Sequence, residues 1–182
     1  SQDHPIFEEK AWDLNRKQVK LTRLARKLGQ EKFASRAAHY DRTATFPTEN
    51  YKDLFESGLI GVCIPESSGG HGADFKTYML TAAEIGRYCG ATALTFNMHV
   101  SSCLWSGHLI DTLDIDKADR KKHNVSREIH YKRILNEGAI YAQPFSEGGS
   151  AAAGSSTFQT IALKVDNGWI VNGKKIFASL SG

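Results

Sequence analysis

No stretch of this sequence is apolar for long enough to span a bilayer, and no charged-then-apolar leader stands at its start. A helical membrane span and a secretory signal are therefore not expected. Net charge is also scarce. A balance of +3 over 182 residues is too small to draw the chain to nucleic acid or to an anionic membrane. Cysteine is rare: Cys63, Cys89 and Cys103 are the whole set, at spacings that suit neither a zinc site nor a redox pair. An odd number of thiols fits a reducing compartment, so the expectation is a cytoplasmic protein with buried free cysteines. The seven histidines include no H-E-x-x-H and no zinc spacing, and no metal is expected.

Familiar catalytic signatures are missing too. Residues 168–175 read G-x-x-x-x-G-K-K, which lacks the final Ser/Thr of a phosphate-binding P-loop and sits in a hairpin setting. Ser150 is not in a nucleophile elbow. Gly70-His71-Gly72 resembles the opening of a dinucleotide fingerprint, but Phe75 stands where the third glycine belongs. No second strand ending in an acidic residue follows. The simpler reading is a tight turn that delivers the chain to a helix capped by the Asp74 carboxylate.

What is present is, first, a long helical lead-in. Residues 1–15 are polar and expected to fray. From 17 to 39 Leu21, Leu24 and Leu28 recur at helical spacing, extended by Phe33, Ala37 and Tyr40, with Gly29 weakening the middle. Pro47 suits the first turn of a helix carrying Tyr51, Leu54 and Phe55, and Gly58 is placed to cap its end. Residues 59–65 form a short apolar, β-branched segment stopped by Pro65. Residues 75–88 are amphipathic. Residues 91–110 carry Leu94, Phe96, Met98, Val100, Leu104, Trp105 and Leu109 around most of a helix, which predicts burial on several sides at the centre of a helical domain. His99 in that setting reads as a satisfied core histidine. Residues 111–136 hold the densest charge, with both signs interleaved. A solvated helical face is the default there, a phosphate-binding basic patch the sharper alternative, and Ile129, Ile134 and Leu135 are the candidates for docking it on the core.

Second, the pattern changes to β near residue 137. A β-rich run over 157–165 is followed by Asp166-Asn167-Gly168, then Trp169-Ile170-Val171, then Asn172-Gly173 before Lys175-Ile176-Phe177-Ala178. Asn-Gly supplies the positive φ angles of a tight hairpin turn, and two such turns predict a meander. The fold class is therefore α+β: a helical domain over 1–136 and the first strands of an antiparallel β domain over 137–182.

Two segments in order carry a family resemblance. One is Phe46-Pro47 followed by GLIGVCIPESSGG over 58–70. The other is Pro144-Phe145-Ser146-Glu147, a Gly/Ser-rich loop over 148–156, Asn167-Gly168-Trp169, and Gly173-Lys174-Lys175-Ile176-Phe177-Ala178-Ser179. Together they resemble the acyl-CoA dehydrogenases. The likeness covers most of this chain but only about the first half of a typical member. It implies an FAD-dependent oxidoreductase that takes a proton from the α-carbon of an acyl-CoA thioester while the β-hydrogen leaves as hydride to the flavin. It implies a homo-oligomer, tetramer or dimer, and a chain truncated before the C-terminal helical bundle. The proton acceptor would be a Glu of that bundle, so no catalytic residue is assigned here. The acyl length and the electron acceptor are not readable.

The resemblance also implies site residues. The backbone at Phe145 and Ser146, with the Ser146 hydroxyl, would face the flavin's polar edge, where charge collects on reduction. Phe177 would pack on the ring, and Ser179 would hydrogen-bond near the reacting nitrogen. Ser150 would meet the pyrophosphate, with Ala151, Gly154 and Ser155 as alternatives because the loop departs from the family's Thr-Glu-Pro and Gly-Ser-Asp pattern. Thr95, Phe96, His99 and Cys103 would help to wall the acyl-chain cavity. Two other functions stay open: a flavin-dependent monooxygenase or oxidase of the same fold, and a non-catalytic fragment or interaction module.

Overall fold

A computed structural model describes residues 8–148 and 157–180. The chain forms two compact units, residues 1–141 and 142–182.

The first unit is helical. Helix α1 (Arg16–Leu28) opens on a reciprocal cap: the Gln18 N–H donates to Asn15 Oδ1 at 2.9 Å and the Asn15 N–H to Gln18 Oε1 at 3.0 Å. A wide π turn over Gly29–Phe33 carries the chain into α2 (Ala34–Thr43). Gly29 does more than weaken a helix. A Cβ there would lie 2.0 Å from the Tyr88 ring, so its bareness is what lets that ring pack against α1. Helix α3 (Thr48–Glu56) ends near Gly58, whose φ of 78° turns the chain.

The next segment, 59–65, forms a single 3-10 turn (Leu59–Gly61) and then a buried loop instead of a strand. The chain doubles back on it: the Ala73 N–H donates to Val62 O at 2.9 Å and the Gly72 N–H to Ile64 O at 2.8 Å. This is the tight turn expected at the glycine-rich stretch. Asp74 then caps α4 (Phe75–Gly86), accepting from the Thr77 N–H at 2.8 Å.

Helix α5 (Gly90–Leu104) continues through a second π turn, Trp105–Leu109. Its buried stripe is Thr92, Ala93, Phe96, His99, Val100, Cys103 and Leu104. The all-round burial expected of it is not seen, because Leu94, Trp105 and Leu109 are exposed. Helix α6 (Lys117–Glu137) is capped by Asp116, which accepts from the N–H groups of Ala118 at 2.7 Å and Asp119 at 3.0 Å, and it ends at Gly138 in the left-handed region. It docks through Tyr131 and Ile134, with Leu135 against Gly61. Ile129 does not dock; it is exposed. Phe33, Leu54, Leu59, Ile60, Ile64, Ile85, Phe96 and Val100 form the core beneath these helices.

The second unit holds one antiparallel hairpin, β1 (Ile161–Val165) and β2 (Gly168–Asn172), with Leu163 opposite Ile170. The turn is Asp166-Asn167. Among the described residues neither has positive φ; that angle falls on Gly168, at 154°, and the two-residue turn lies one residue earlier than an Asn-Gly turn would. The expected meander is not formed, since no strand follows Gly173 among the described residues. Nor does β1 begin at 157. The N–H groups of Gln159 and Thr160 donate to a carboxylate, that of Glu147, rather than to a neighbouring strand. Mostly helical structure with a two-stranded antiparallel sheet is the fold.

Candidate functional site

In the helical unit, the four residues singled out on α5 have different surroundings. Phe96 and His99 are wholly buried. Thr95 lies at the rim, its Oγ1 accepting from the Tyr51 hydroxyl at 2.8 Å. Cys103 lines a cavity of about 310 Å³ between α5 and α6, shared with Ser106, His130, Tyr131, Ile134 and Tyr141. Burial pushes the Cys103 thiol up to about 12, which makes it an inert wall rather than a nucleophile.

His99 has both ring nitrogens occupied. Nε2 faces the Ile60 carbonyl oxygen at 2.9 Å, and the Tyr141 N–H reaches Nδ1 at 3.0 Å. A carbonyl only accepts and an N–H only donates, so the proton sits on Nε2. Burial pushes its pKa down to about 4, and the ring is neutral at neutral pH.

The charge of α6 is partly spent on the backbone. Arg120 donates to the carbonyls of Ile110 at 2.7 Å and Leu113 at 2.5 Å. Arg127 reaches Ser106 O at 3.1 Å and the Asp111 carboxylate at 2.7 Å, and His123 Nε2 also meets Ser106 O, at 2.7 Å. Cations thus cap the carbonyl end of the α5 helix and its π turn, where the helix dipole favours them. That gives these two arginines a structural task, unlike the solvated-face reading. Among the described residues, no group of His, Cys, Asp and Glu side chains could hold a metal ion, and no helix is long and apolar enough to cross a membrane.

In the second unit, segments far apart in sequence converge. The Ile176 N–H donates to Ser146 O at 2.9 Å, which sets the Phe145-Ser146 backbone beside Ile176-Phe177. The Ser179 N–H donates to Phe177 O at 3.0 Å. Phe177 takes a φ of 53° and leaves 88% of its surface open. Phe145, likewise exposed, meets Phe158 edge-on with ring centres 5.1 Å apart. Four of the five residues marked in this region therefore gather in one place. The fifth, Ser150, lies outside the described residues together with its alternatives Ala151, Gly154 and Ser155.

Glu147 is the residue that sequence reasoning passed over. Its side chain is 4% exposed. Oε1 accepts from the Thr160 N–H at 3.0 Å, the Thr160 hydroxyl at 2.5 Å and Lys175 Nζ at 2.7 Å, and Oε2 accepts from the Gln159 N–H at 2.6 Å. The Lys175 ammonium, then the Thr160 hydroxyl and the two N–H groups, hold its pKa down at about 2. Lys175 also lies 4.4 Å over the Phe158 ring centre and donates to Phe145 O at 3.3 Å. The only sequence signal was a Glu beside a glycine-rich loop and a Lys 28 positions later, which no spacing rule joins.

A family model described as acyl-CoA dehydrogenase, N-terminal domain, matches residues 15–110, more than half of the chain. The chain belongs to the acyl-CoA dehydrogenase family. Among curated relatives, it is 29% identical over 172 residues to an acryloyl-CoA reductase (NADH) of Anaerotignum propionicum, covering 94% of this chain and 41% of that protein. It is 27% identical over 172 residues to a short-chain specific acyl-CoA dehydrogenase of Clostridium acetobutylicum, covering 94% and 42%. Among solved structures, butyryl-CoA dehydrogenase from Megasphaera elsdenii superposes with a TM-score of 0.69 at 26% identity, over 91% of this chain and 41% of that one. The chain thus spans roughly two fifths of the length of these family members.

Proposed function

We propose that this chain forms the helical and flavin-edge portions of an FAD-dependent oxidoreductase that desaturates an acyl-CoA thioester between its α and β carbons. Family membership and the names of its relatives support the reaction class. The observation that carries the reading is the meeting of Phe145-Ser146 with Ile176-Phe177 and Ser179, joined by the Ile176 N–H to Ser146 carbonyl bond.

The donor set suits a flavin. The exposed rings of Phe145 and Phe177 offer flat apolar surface. The hydroxyls of Ser146 and Ser179 offer hydrogen bonds to a polar ring edge. The buried carboxylate of Glu147 nearby has its charge matched by Lys175 and turned toward N–H donors, so it does not oppose an electron-rich edge. When bound, the flavin supplies the acceptor for hydride. Ser146, with the backbone at Phe145 and Ser146, would hold its polar edge, Phe177 would offer a surface for the ring, Ser179 would hydrogen-bond near the reacting nitrogen, and Ser150, outside the described residues, would meet the pyrophosphate.

On the helical side, residues to 136 form the domain that walls the acyl chain, with Thr95 at its rim and Phe96, His99 and Cys103 fixing the shape of the helix behind it. No residue of this chain is assigned the α-proton. An acyl-CoA substrate, a cytoplasmic location and assembly into a dimer or tetramer belong to the same proposal.

The test is flavin retention. Purified protein incubated with FAD and passed through a desalting column is expected to carry oxidised-flavin absorbance. Phe177→Ala should weaken retention by about tenfold, the scale of one lost aromatic contact. Equal retention by wild type and variant would count against the assignment of Phe177, and no retention by wild type would count against the whole reading.

A further inference from the structure

We infer that Glu147, paired with Lys175, is a positioning residue that holds the two halves of the proposed flavin edge in register. The inference rests on the flavin reading for its function and on separate geometry for its structure. Three segments that are distant in sequence end on one carboxylate: its own segment, the approach to β1 through Gln159 and Thr160, and the exit from β2 through Lys175. Lys175 closes the ring by donating to Phe145 O, one bond away from the Ser146 to Ile176 contact. The close packing of this knot is written into Gly173 as well, where a Cβ would fall 2.3 Å from Thr160 Oγ1.

The chemistry demands a carboxylate. Every partner of Glu147 in this cluster is a donor: two backbone N–H groups, a hydroxyl and an ammonium. A glutamine of the same shape would turn its own N–H₂ toward one of those donors, which replaces an attraction by a repulsion. Charge-assisted hydrogen bonds to a shielded carboxylate are the strong kind, so the loss is larger than for a neutral bond. Glu147 touches no reacting atom in this scheme. Its effect passes through the backbone of Phe145 and Ser146 on one side and of Ile176 and Phe177 on the other.

The experiment compares the wild-type protein with Glu147→Gln, Lys175→Met and Lys175→Arg, using FAD titration and amide hydrogen exchange. Glu147→Gln and Lys175→Met should each weaken FAD binding about tenfold or more, the scale of one charge-assisted bond. Lys175→Arg, which keeps the cation, should recover most of it. Exchange at Gln159, Thr160 and Ile176 should quicken in the first two variants, while exchange in α4 and α5 stays as in wild type. Wild-type FAD affinity in Glu147→Gln would overturn the inference. If the wild-type protein binds no FAD, the flavin reading fails and exchange decides the rest. Faster exchange at Ile176 in Glu147→Gln then sustains the registering role, and unchanged exchange there overturns it. General loss of helical protection in Glu147→Gln would also overturn it, because the residue would then act on the whole fold.

Discussion

The imidazole Nε2 of His99 lies 2.9 Å from the carbonyl oxygen of Ile60, in a site closed to solvent. The other ring nitrogen receives the Tyr141 N–H. One side chain from the middle of α5 therefore satisfies a buried carbonyl of the turn after α3 and a backbone N–H just past α6. Replacing it by leucine leaves both backbone groups unpaired, at a cost of about 1–3 kcal/mol each. Urea unfolding at pH 7.5 should show His99→Leu destabilised by about 2 kcal/mol or more.

The same pair gives a pH dependence with a definite sign. The folded-state pKa of His99 is pushed down from 6.5 to about 4. Between those values the unfolded chain binds a proton that the folded one does not. Stability is therefore full above about pH 6.5 and falls as pH drops toward 4. His99→Leu lacks this slope, so the gap between wild type and variant should narrow from pH 7.5 to pH 5. Parallel slopes would count against the neutral, doubly bonded ring.

Glu84 is 1% exposed and receives Arg26 at 2.9 Å and Arg87 at 3.2 Å. Removing a buried anion strands both cations, a loss of about 3–5 kcal/mol where pairs are well shielded. Because the arginines are partly exposed, about 2–3 kcal/mol is expected for Glu84→Ala. Thermal unfolding checks this. Arg87→Ala should cost less, since Arg26 still neutralises Glu84.

At Gly70, an added Cβ would sit 2.2 Å from the Ile64 carbonyl oxygen and 2.5 Å from its Cβ. Backbone cannot give way as a flexible side chain can. Gly70→Ala is therefore expected to cost about 2–3 kcal/mol. Gly90, which has nothing near its Cβ position, is the control, and Gly90→Ala should be close to neutral or mildly stabilising. Denaturant midpoints of the two variants decide it.

Glu147 contributes an acid-labile element to the second unit. Its pKa is held down from 4.5 to about 2 by Lys175 and the donors around it. The contribution is present above about pH 4.5 and is lost as pH falls through 2. Hydrogen exchange at Gln159 and Thr160, compared at pH 6 and pH 3, should show their protection falling faster than that of α4. Glu147→Gln should remove the difference.

How much of this was legible in the sequence follows from the range of the forces involved. Caps are local, and Asp74 and the helices they open were readable from a few neighbours. The central place of α5 followed from its apolar residues, though the exposure of Leu94, Trp105 and Leu109 did not, because periodicity cannot say which faces find a partner. Gly29 read as a weak helix position; its reason is Tyr88, 59 residues away. The late start of β1 was not legible either: Gln159 and Thr160 give their N–H groups to Glu147, a long-range side-chain choice that local β propensity does not encode. The gathering of Phe145, Ser146, Phe177 and Ser179 came from family resemblance, and the staple that holds them came only from the structure.

The most direct measurement is the visible absorption spectrum of the FAD-loaded protein, taken anaerobically before and after addition of a panel of acyl-CoA thioesters. A shift or bleaching of the oxidised-flavin band by at least one thioester is the expected result, and the thioester that produces it names the substrate class. A flavin band that every thioester leaves unchanged would contradict acyl-CoA desaturation and favour oxygen chemistry on the same fold.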